Sequence, residues 1–370
     1  MTDDQQWQAP GQPAALPPAR SMPLSPPPPP QQAAWTPPPK PGLIPLRPMT
    51  LGTILGAAFQ TLRRNPAATL VPALILTTIV GIIRVLSSTG LLTGYANAFG
   101  DPYNDNLGFD PGPLLLGTLF PWMLTLIVTA IVQAVVTLQV ASSTLGARLR
   151  LSGLWRRVRG RRGAVIGWAA LTGAAVLVGI GIPALAVVGI GLTGPAGVAI
   201  ALLLGFLLGC GLLVVFCWLW VKLGFVPAAI VLERASILTA MRRSWRLTTG
   251  AFWRIFGIRL LVAAMIVVAS WIITFPVSLV FLVAGTVVQP NGSPASALTG
   301  TFLVSTIVAE ALTAIISAVG LVVSTATAAL LYLDQRMRQE GLDLDLARFV
   351  DRRAAGERGL GDPYLPKPVT

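Results

Sequence analysis

A set of polar residues occurs at helical spacing inside a long apolar segment near the carboxyl end of the chain. Glu310 lies about ten residues into this segment, near the expected middle of a bilayer. Steps of three and four residues place it on one helix face with Thr306, Thr313, Ser317, Gly320, Ser324 and Thr327. A charge at that depth costs on the order of 2.5–3.5 kcal/mol, so Glu310 is a candidate functional residue.

A second apolar segment carries a matching polar face, formed by Thr118, Thr125, Thr129 and Gln133. Two interpretations are open. The two faces could line a path for an ion, a proton or a lipid headgroup, with Glu310 at its centre. Alternatively, the small and hydroxylated residues allow helices to approach closely and to hydrogen-bond, which we favour for the hydroxyls. We expect Arg84 to extend toward the outer interface, with an ion pair to Glu310 as the alternative.

Other chemistry is limited by composition. The chain contains no histidine, which excludes histidine bases, histidine-ligated metals and nucleophiles activated by histidine. Cys210 and Cys217 lie about two helical turns apart, too far for a disulfide within one helix, and are expected to pack as small apolar residues. We therefore predict no enzyme activity, no cofactor and no metal site.

These residues lie in a chain built for a bilayer. Residues 163–221 contain no charge, enough for roughly 88 Å of helix at about 1.5 Å per residue, against about 30 Å of hydrocarbon. Charged residues are 11% of the chain, less than half the usual share of about 25%. We predict an all-α membrane protein with six crossings, near 68–91, 113–140, 164–192, 198–221, 255–284 and 301–333.

The loops predict the orientation. The loop 93–112 carries only acidic charges, and the loops 193–197 and 285–300 carry none. Arginine is concentrated instead in the intervening loops, 141–163 and 222–259. Because basic loops remain in the cytoplasm, we predict a bacterial cytoplasmic membrane protein with both termini inside. The net charge of +13 therefore reflects topology, and we expect no nucleic-acid partner.

The basic loop 141–163 is also a candidate lipid-binding segment. Arginines interleaved with Leu151, Leu154, Trp155 and Val158 are typical of a helix on a membrane surface. The candidate contacts to anionic phospholipid are Arg148, Arg156, Arg157, Arg159, Arg161 and Arg162. A topology signal without a specific lipid site explains the same residues.

A repeated unit organises the membrane domain. Short amphipathic segments centred on Phe59, Trp155 and Trp245 each precede a crossing, which suggests three copies of a surface helix followed by two crossings. We divide the chain into a disordered, proline-rich cytoplasmic tail (1–48), the membrane domain (49–333) and a cytoplasmic tail with an amphipathic helix (334–370). A ridge of small residues in the fourth crossing favours close packing, within the chain or in a homo-oligomer: Gly197, Ala201, Gly205 and Gly209.

Several motifs together resemble a known family. They are Ile44–Gly52, Pro227–Glu233, Ala240–Leu247, Phe252–Arg254 and Leu331–Leu342. Over about residues 43–348 the chain resembles bacterial multi-spanning proteins of the glycerophosphoryl diester phosphodiesterase membrane-domain family. Some members are fused to a catalytic barrel that uses histidines and metal-binding carboxylates. This chain has no histidine, so the resemblance implies the membrane domain without the hydrolase activity.

These observations predict a non-enzymatic envelope protein that engages anionic phospholipid through its basic surface helices. The alternative is a small transporter or lipid-moving protein that uses Glu310 in a polar path through the membrane.

Overall fold

The computed structural model describes residues 49–99, 115–146, 153, 160–287, 294–357 and 361–365. Within these ranges the chain is almost entirely α-helical and contains no strand. Six helical spans in the described residues are long and apolar enough to cross a membrane. They are Pro66–Ser88, Gly117–Thr144, Arg162–Gly191, Pro195–Leu232, Phe252–Phe281 and Val304–Glu340. The chain is a multi-pass, all-α membrane protein, as the sequence predicts.

The described residues form ten α-helices and one π-helical turn. In chain order they are α1 (Leu51–Arg64), α2 (Pro66–Phe99), a π-helical turn (Leu115–Leu119) leading into α3 (Phe120–Thr144), α4 (Arg162–Gly191), α5 (Pro195–Lys222), α6 (Val226–Leu232), α7 (Ile237–Thr248), α8 (Phe252–Val287), α9 (Pro294–Glu340) and α10 (Leu342–Ala354). The polypeptide continues in helical form through Pro183 in α4 and Pro276 in α8.

Two of the short helices, α1 and α7, begin with side-chain caps. Thr50 accepts a hydrogen bond from the amide of Thr53 at the start of α1, and Ser236 accepts one from the amide of Thr239 at the start of α7. Both helices are amphipathic and each precedes two crossings, which agrees with the first and third predicted repeats. The middle surface helix and the proline-rich tail lie outside the described residues.

Helix α9 lies at the centre of the bundle and packs against α1, α2, α3 and α8. Its buried face consists of small and β-branched residues such as Ala318, Val322 and Ala326. Helices α4 and α5, in contrast, leave large apolar side chains uncovered along their length, as expected of surfaces that face lipid. The inner layer of the bundle is therefore α2, α3 and α9.

The predicted ridge on α5 is used within the chain. Ala201 lies beside Gly191, and Gly205 lies beside Val187, so these small residues let α4 approach α5 closely. Gly209 has no neighbouring atom within 4 Å of an added Cβ and stays open. A homo-oligomer through this ridge remains a prediction. Cys210 and Cys217 are free thiols, with Cys210 exposed and Cys217 partly buried. The expectation that both pack in the core is therefore wrong for Cys210.

We predict that Gly320→Val destabilises the bundle by about 1–3 kcal/mol, the usual cost of overpacking. A Cβ at this position would lie 2.8 Å from Cγ2 of Ile266, where α8 crosses α9. Gly209→Val is the matched control, because nothing lies near that position. Thermal unfolding in one detergent measures both variants, and equal melting temperatures would contradict the close approach.

Candidate functional site

Asp334 is the centre of a buried polar cluster at one end of α9. Its carboxylate is fully buried and accepts hydrogen bonds from the Met49 amide at 2.7 Å and from Arg254 at 2.6 Å. Arg338, one turn further along α9, donates to the same carboxylate at 3.0 Å. Arg254 and Arg338 also donate to the Met49 carbonyl oxygen. One aspartate thus ties the entry to α1 and the start of α8 to α9.

Glu233 is the centre of a second buried cluster beside the first. It follows α6 directly and pairs with Arg243 of α7 and Arg336 of α9, while the Tyr332 hydroxyl donates to it. Glu340 then bridges the two arginines, at 2.7 Å from Arg243 and 3.0 Å from Arg336. The acidic and basic groups alternate, so each buried charge has a partner of opposite sign.

The pairing has a consequence for the protonation of Arg243. Burial alone would lower the pKa of its guanidinium, but the hydrogen bond and the charge interaction with Glu233 outweigh burial and raise the pKa. Arg243 therefore stays charged at every physiological pH. We call the end of the bundle that holds these two clusters, with the Lys222 end of α5 and the Thr144 end of α3, the basic end.

The carboxyl-terminal turn closes over the basic end. Tyr364 is buried, and its hydroxyl bonds with Thr144 and with the Ala141 carbonyl oxygen at the end of α3. Its own carbonyl oxygen accepts from Arg336 at 2.9 Å. Burial raises the pKa of the Tyr364 phenol, which keeps it neutral and able to donate.

These charges were not predicted from the sequence to form a site. The sixth crossing was expected to end near Leu333, and the residues after it were assigned to the cytoplasmic tail. The structure continues α9 to Glu340 and brings these charges together with α6, α7 and α8. A signal was present in the spacing, because Asp334–Arg338 and Arg336–Glu340 are both i,i+4 pairs of opposite charge.

Glu310 forms an ion pair with Arg84 of α2, at 3.2 Å. An ion pair with Arg84 was the second of the two alternatives predicted from the sequence. Gly81 of α2 lies next to the Glu310 carboxylate. Glu310 is about 24 residues, or roughly 36 Å of helix, before Asp334. Its expected position near the middle of the bilayer stays a prediction.

The rest of the predicted polar face separates into two parts. Near Glu310, the hydroxyls serve packing between helices, as where Thr77 of α2 donates to the Ala314 carbonyl oxygen of α9 at 3.1 Å. Thr306 and Thr313 are partly buried, Ser317 is exposed, and Thr129 on α3 is partly buried. Thr125 on α3 donates to the Pro121 carbonyl oxygen of its own helix.

Nearer the basic end, the two polar faces do meet. Gln133 of α3 and Ser324 and Thr327 of α9 line one cavity of about 140 Å³, together with Arg259 of α8. The expectation that these faces oppose each other is thus met at this level of the bundle. Arg259 was not among the predicted residues, because it was counted as one of the basic residues that set topology.

The predicted lipid-binding arginines fall mostly outside the described residues. Arg148, Arg156, Arg157 and Arg159 are not described, whereas Arg161 and Arg162 are partly buried at the start of α4. The described surface offers a comparable element in α7. In the described part of the chain, no cluster of three acidic or cysteine side chains could hold a metal ion.

The comparison with protein families gives one match. The chain belongs to the family described as Domain of unknown function (DUF7847), which matches residues 49–333 and so spans the predicted membrane domain. Neither the curated proteins nor the solved structures contain a significant match.

We predict that Asp334→Ala lowers the free energy of unfolding by about 3–5 kcal/mol, because it removes the carboxylate partner of Arg254 and Arg338 and leaves the Met49 amide without an acceptor. Asp343→Ala, at the start of α10, is the control and should cost less than about 1 kcal/mol. Unfolding in mixed micelles with increasing dodecyl sulfate, followed by tryptophan fluorescence, measures both. Equal effects would show that the Asp334 cluster is not a stabilising element.

A pH dependence follows from Tyr364. Since the pKa of the phenol is higher in the folded protein than the ordinary value of about 10, the unfolded chain loses this proton first and stability falls as the pH rises above that value. Tyr364→Phe should lose stability at neutral pH and show a flatter decline between pH 9 and 11. Melting temperatures across this range test the prediction, and parallel curves for the two proteins would contradict it.

Proposed function

We propose that this protein is a non-enzymatic membrane protein that binds anionic phospholipid at its basic end, which faces the cytoplasm of a bacterial cell. The observation that carries the proposal is the outward face of α7. Leu238 and Trp245 are exposed there, with Arg242 exposed between them and Arg246 beside Trp245. Large apolar and basic side chains on one face are typical of a helix that lies in the interface of a bilayer.

The neighbouring groups support an interfacial position. The ammonium of Lys222 lies 5.2 Å above the Trp245 ring, and Trp218 of α5 packs edge-on against the same ring at 5.0 Å. Tryptophan rings concentrate at the level of the lipid headgroups, and basic residues extend to the phosphates. This group therefore combines an apolar anchor with positive charge at the end of a crossing.

The charges of α7 divide between two roles. Arg243 on the inward side is neutralised by Glu233 and Glu340, as described above. Arg242 on the outward side has no carboxylate in ion-pair range among the described residues. Its charge is available to a lipid phosphate, whose attraction is worth about 1 kcal/mol per basic residue near the surface.

A second candidate function is a transporter or lipid-moving protein that uses Glu310. The ion pair between Arg84 and Glu310 favours it, because charged residues within crossing helices are costly and often functional. The same pair also fits a structural role, because arginine already neutralises the carboxylate that a path through the membrane would use. We therefore keep lipid binding as the main proposal, and the resemblance to a membrane domain without a catalytic barrel agrees with it.

We expect the double variant Arg242→Gln/Arg246→Gln to bind phosphatidylglycerol roughly fivefold to thirtyfold more weakly. Arg242 contributes about 1 kcal/mol, and Arg246 contributes at most as much again, because Glu340 lies 3.4 Å from it and offsets part of its charge. Native mass spectrometry of the detergent-purified chain, titrated with phosphatidylglycerol or phosphatidylcholine, measures the affinity. Arg352→Gln/Arg353→Gln removes the same charge from α10 and should have a much smaller effect.

Two outcomes would overturn the proposal: equal affinity of the unaltered protein for both lipids, or unchanged affinity in the α7 variant. The variant Glu310→Gln distinguishes lipid binding from transport. On our account this variant keeps its preference for phosphatidylglycerol. If it instead abolished a flux measured in proteoliposomes while the protein remained folded, the transporter would be the better description.

A further inference from the structure

The cavity beneath the basic end contains an arginine that the ionic clusters do not use. Arg259 lies on α8, five residues after Arg254, and its guanidinium stacks on the Trp220 ring with Cζ 4.0 Å from the ring centroid. It donates one hydrogen bond, to the Trp220 carbonyl oxygen. Among the described residues no carboxylate lies within ion-pair range of it. A guanidinium has five N–H donors, so most of its capacity is unused.

The fold makes room for this guanidinium. A Cβ at Gly224 would overlap it, lying 2.8 Å from Cζ. The Trp220 carbonyl is in the last turn of α5, where carbonyl groups lack helical partners, so one contact of Arg259 is a helix cap. The cap explains a single N–H. The other N–H groups of the guanidinium take no part in this cap, and Arg259 lines the cavity.

The other polar groups of the cavity are suited to an anion. The Thr325 hydroxyl is buried and has no hydrogen-bond partner, and Gln133 and Thr137 have none among the described residues. All three side chains can donate hydrogen bonds. No acidic residue lines the cavity, which therefore has a positive charge and several donors directed at one space.

The size of the cavity limits the ligand. Its volume of about 140 Å³ is enough for several water molecules or for one compact oxyanion. Water could fill the cavity, but water would leave the guanidinium charge uncompensated in a medium of low dielectric constant.

We propose that this cavity, formed by α3, α5, α8 and α9, binds a single phosphate group through Arg259, Thr325 and Gln133. The group is either free inorganic phosphate or the phosphate of a lipid headgroup. Arginine is the preferred partner of phosphate because its planar fork can donate two hydrogen bonds to two oxygens. The site is separate from the outward face of α7 and does not depend on the lipid-binding proposal.

Inorganic phosphate is the first probe. We expect it to raise the melting temperature of the full-length chain in an uncharged detergent with a saturable dependence, at ionic strength held constant with chloride. Arg259→Gln and Thr325→Val should each weaken binding at least roughly tenfold, since each removes a donor to a charged ligand. Thr325→Val keeps the side-chain shape and removes a buried hydroxyl without a partner, so this variant should fold.

The second probe is phosphatidylglycerol against phosphatidylcholine in the same assay. Stabilisation by inorganic phosphate identifies a free-ion site. Stabilisation by phosphatidylglycerol alone, lost in Thr325→Val, identifies a lipid phosphate. Arg352→Gln is the control for a lost surface charge and should behave as the unaltered protein. The proposal is overturned if neither probe stabilises the protein saturably, or if Thr325→Val responds as the unaltered protein does. The second of these failures leaves the α7 proposal standing, because Arg242 and Arg246 do not line the cavity. The first counts against both proposals if phosphatidylglycerol also fails to bind in the mass-spectrometric titration of the α7 variant and the unaltered protein.

Discussion

The structure depends on charge pairing at one end of a central apolar helix. In the last turns of α9, Asp334 pairs with Arg254 of α8 and Glu340 pairs with Arg243 of α7. Arg336 of α9 pairs with Glu233 and Glu340. Removing charged groups from water costs several kcal/mol per ion, and the arrangement offsets that cost only because each carboxylate is paired with arginine. Loss of one partner therefore destabilises several helices together.

The same charge pairing divides the arginines of the bundle into a structural group and a group that can bind ligands. Arginines whose charge is neutralised inside the clusters hold α6, α7 and α9 in place. Arg242 on the surface and Arg259 in the cavity have no carboxylate partner among the described residues and are available to ligands. Both lie within a few residues of a clustered arginine, so the rigid network positions them.

Much of the fold could be predicted from the sequence because a bilayer imposes simple rules. Two crossings are specified by the uncharged run 163–221, with proline and glycine residues between α4 and α5. The start of α1 is specified by Thr50, which caps the helix. The clusters could not be predicted with the same rules. Whether Asp334 is solvated or paired depends on Arg254, eighty residues away, and a local charge pattern does not encode that contact.

The ion pair between Glu310 and Arg84 shows the same limit, because it joins two helices that lie far apart in the sequence. The most direct test of the account is a double-mutant cycle on Glu233 and Arg243, with unfolding measured in detergent for Glu233→Gln, Arg243→Gln and the double variant. The account predicts a coupling energy above about 1 kcal/mol, as expected of buried, directly contacting charges. Additive effects, with a coupling near zero, would contradict it.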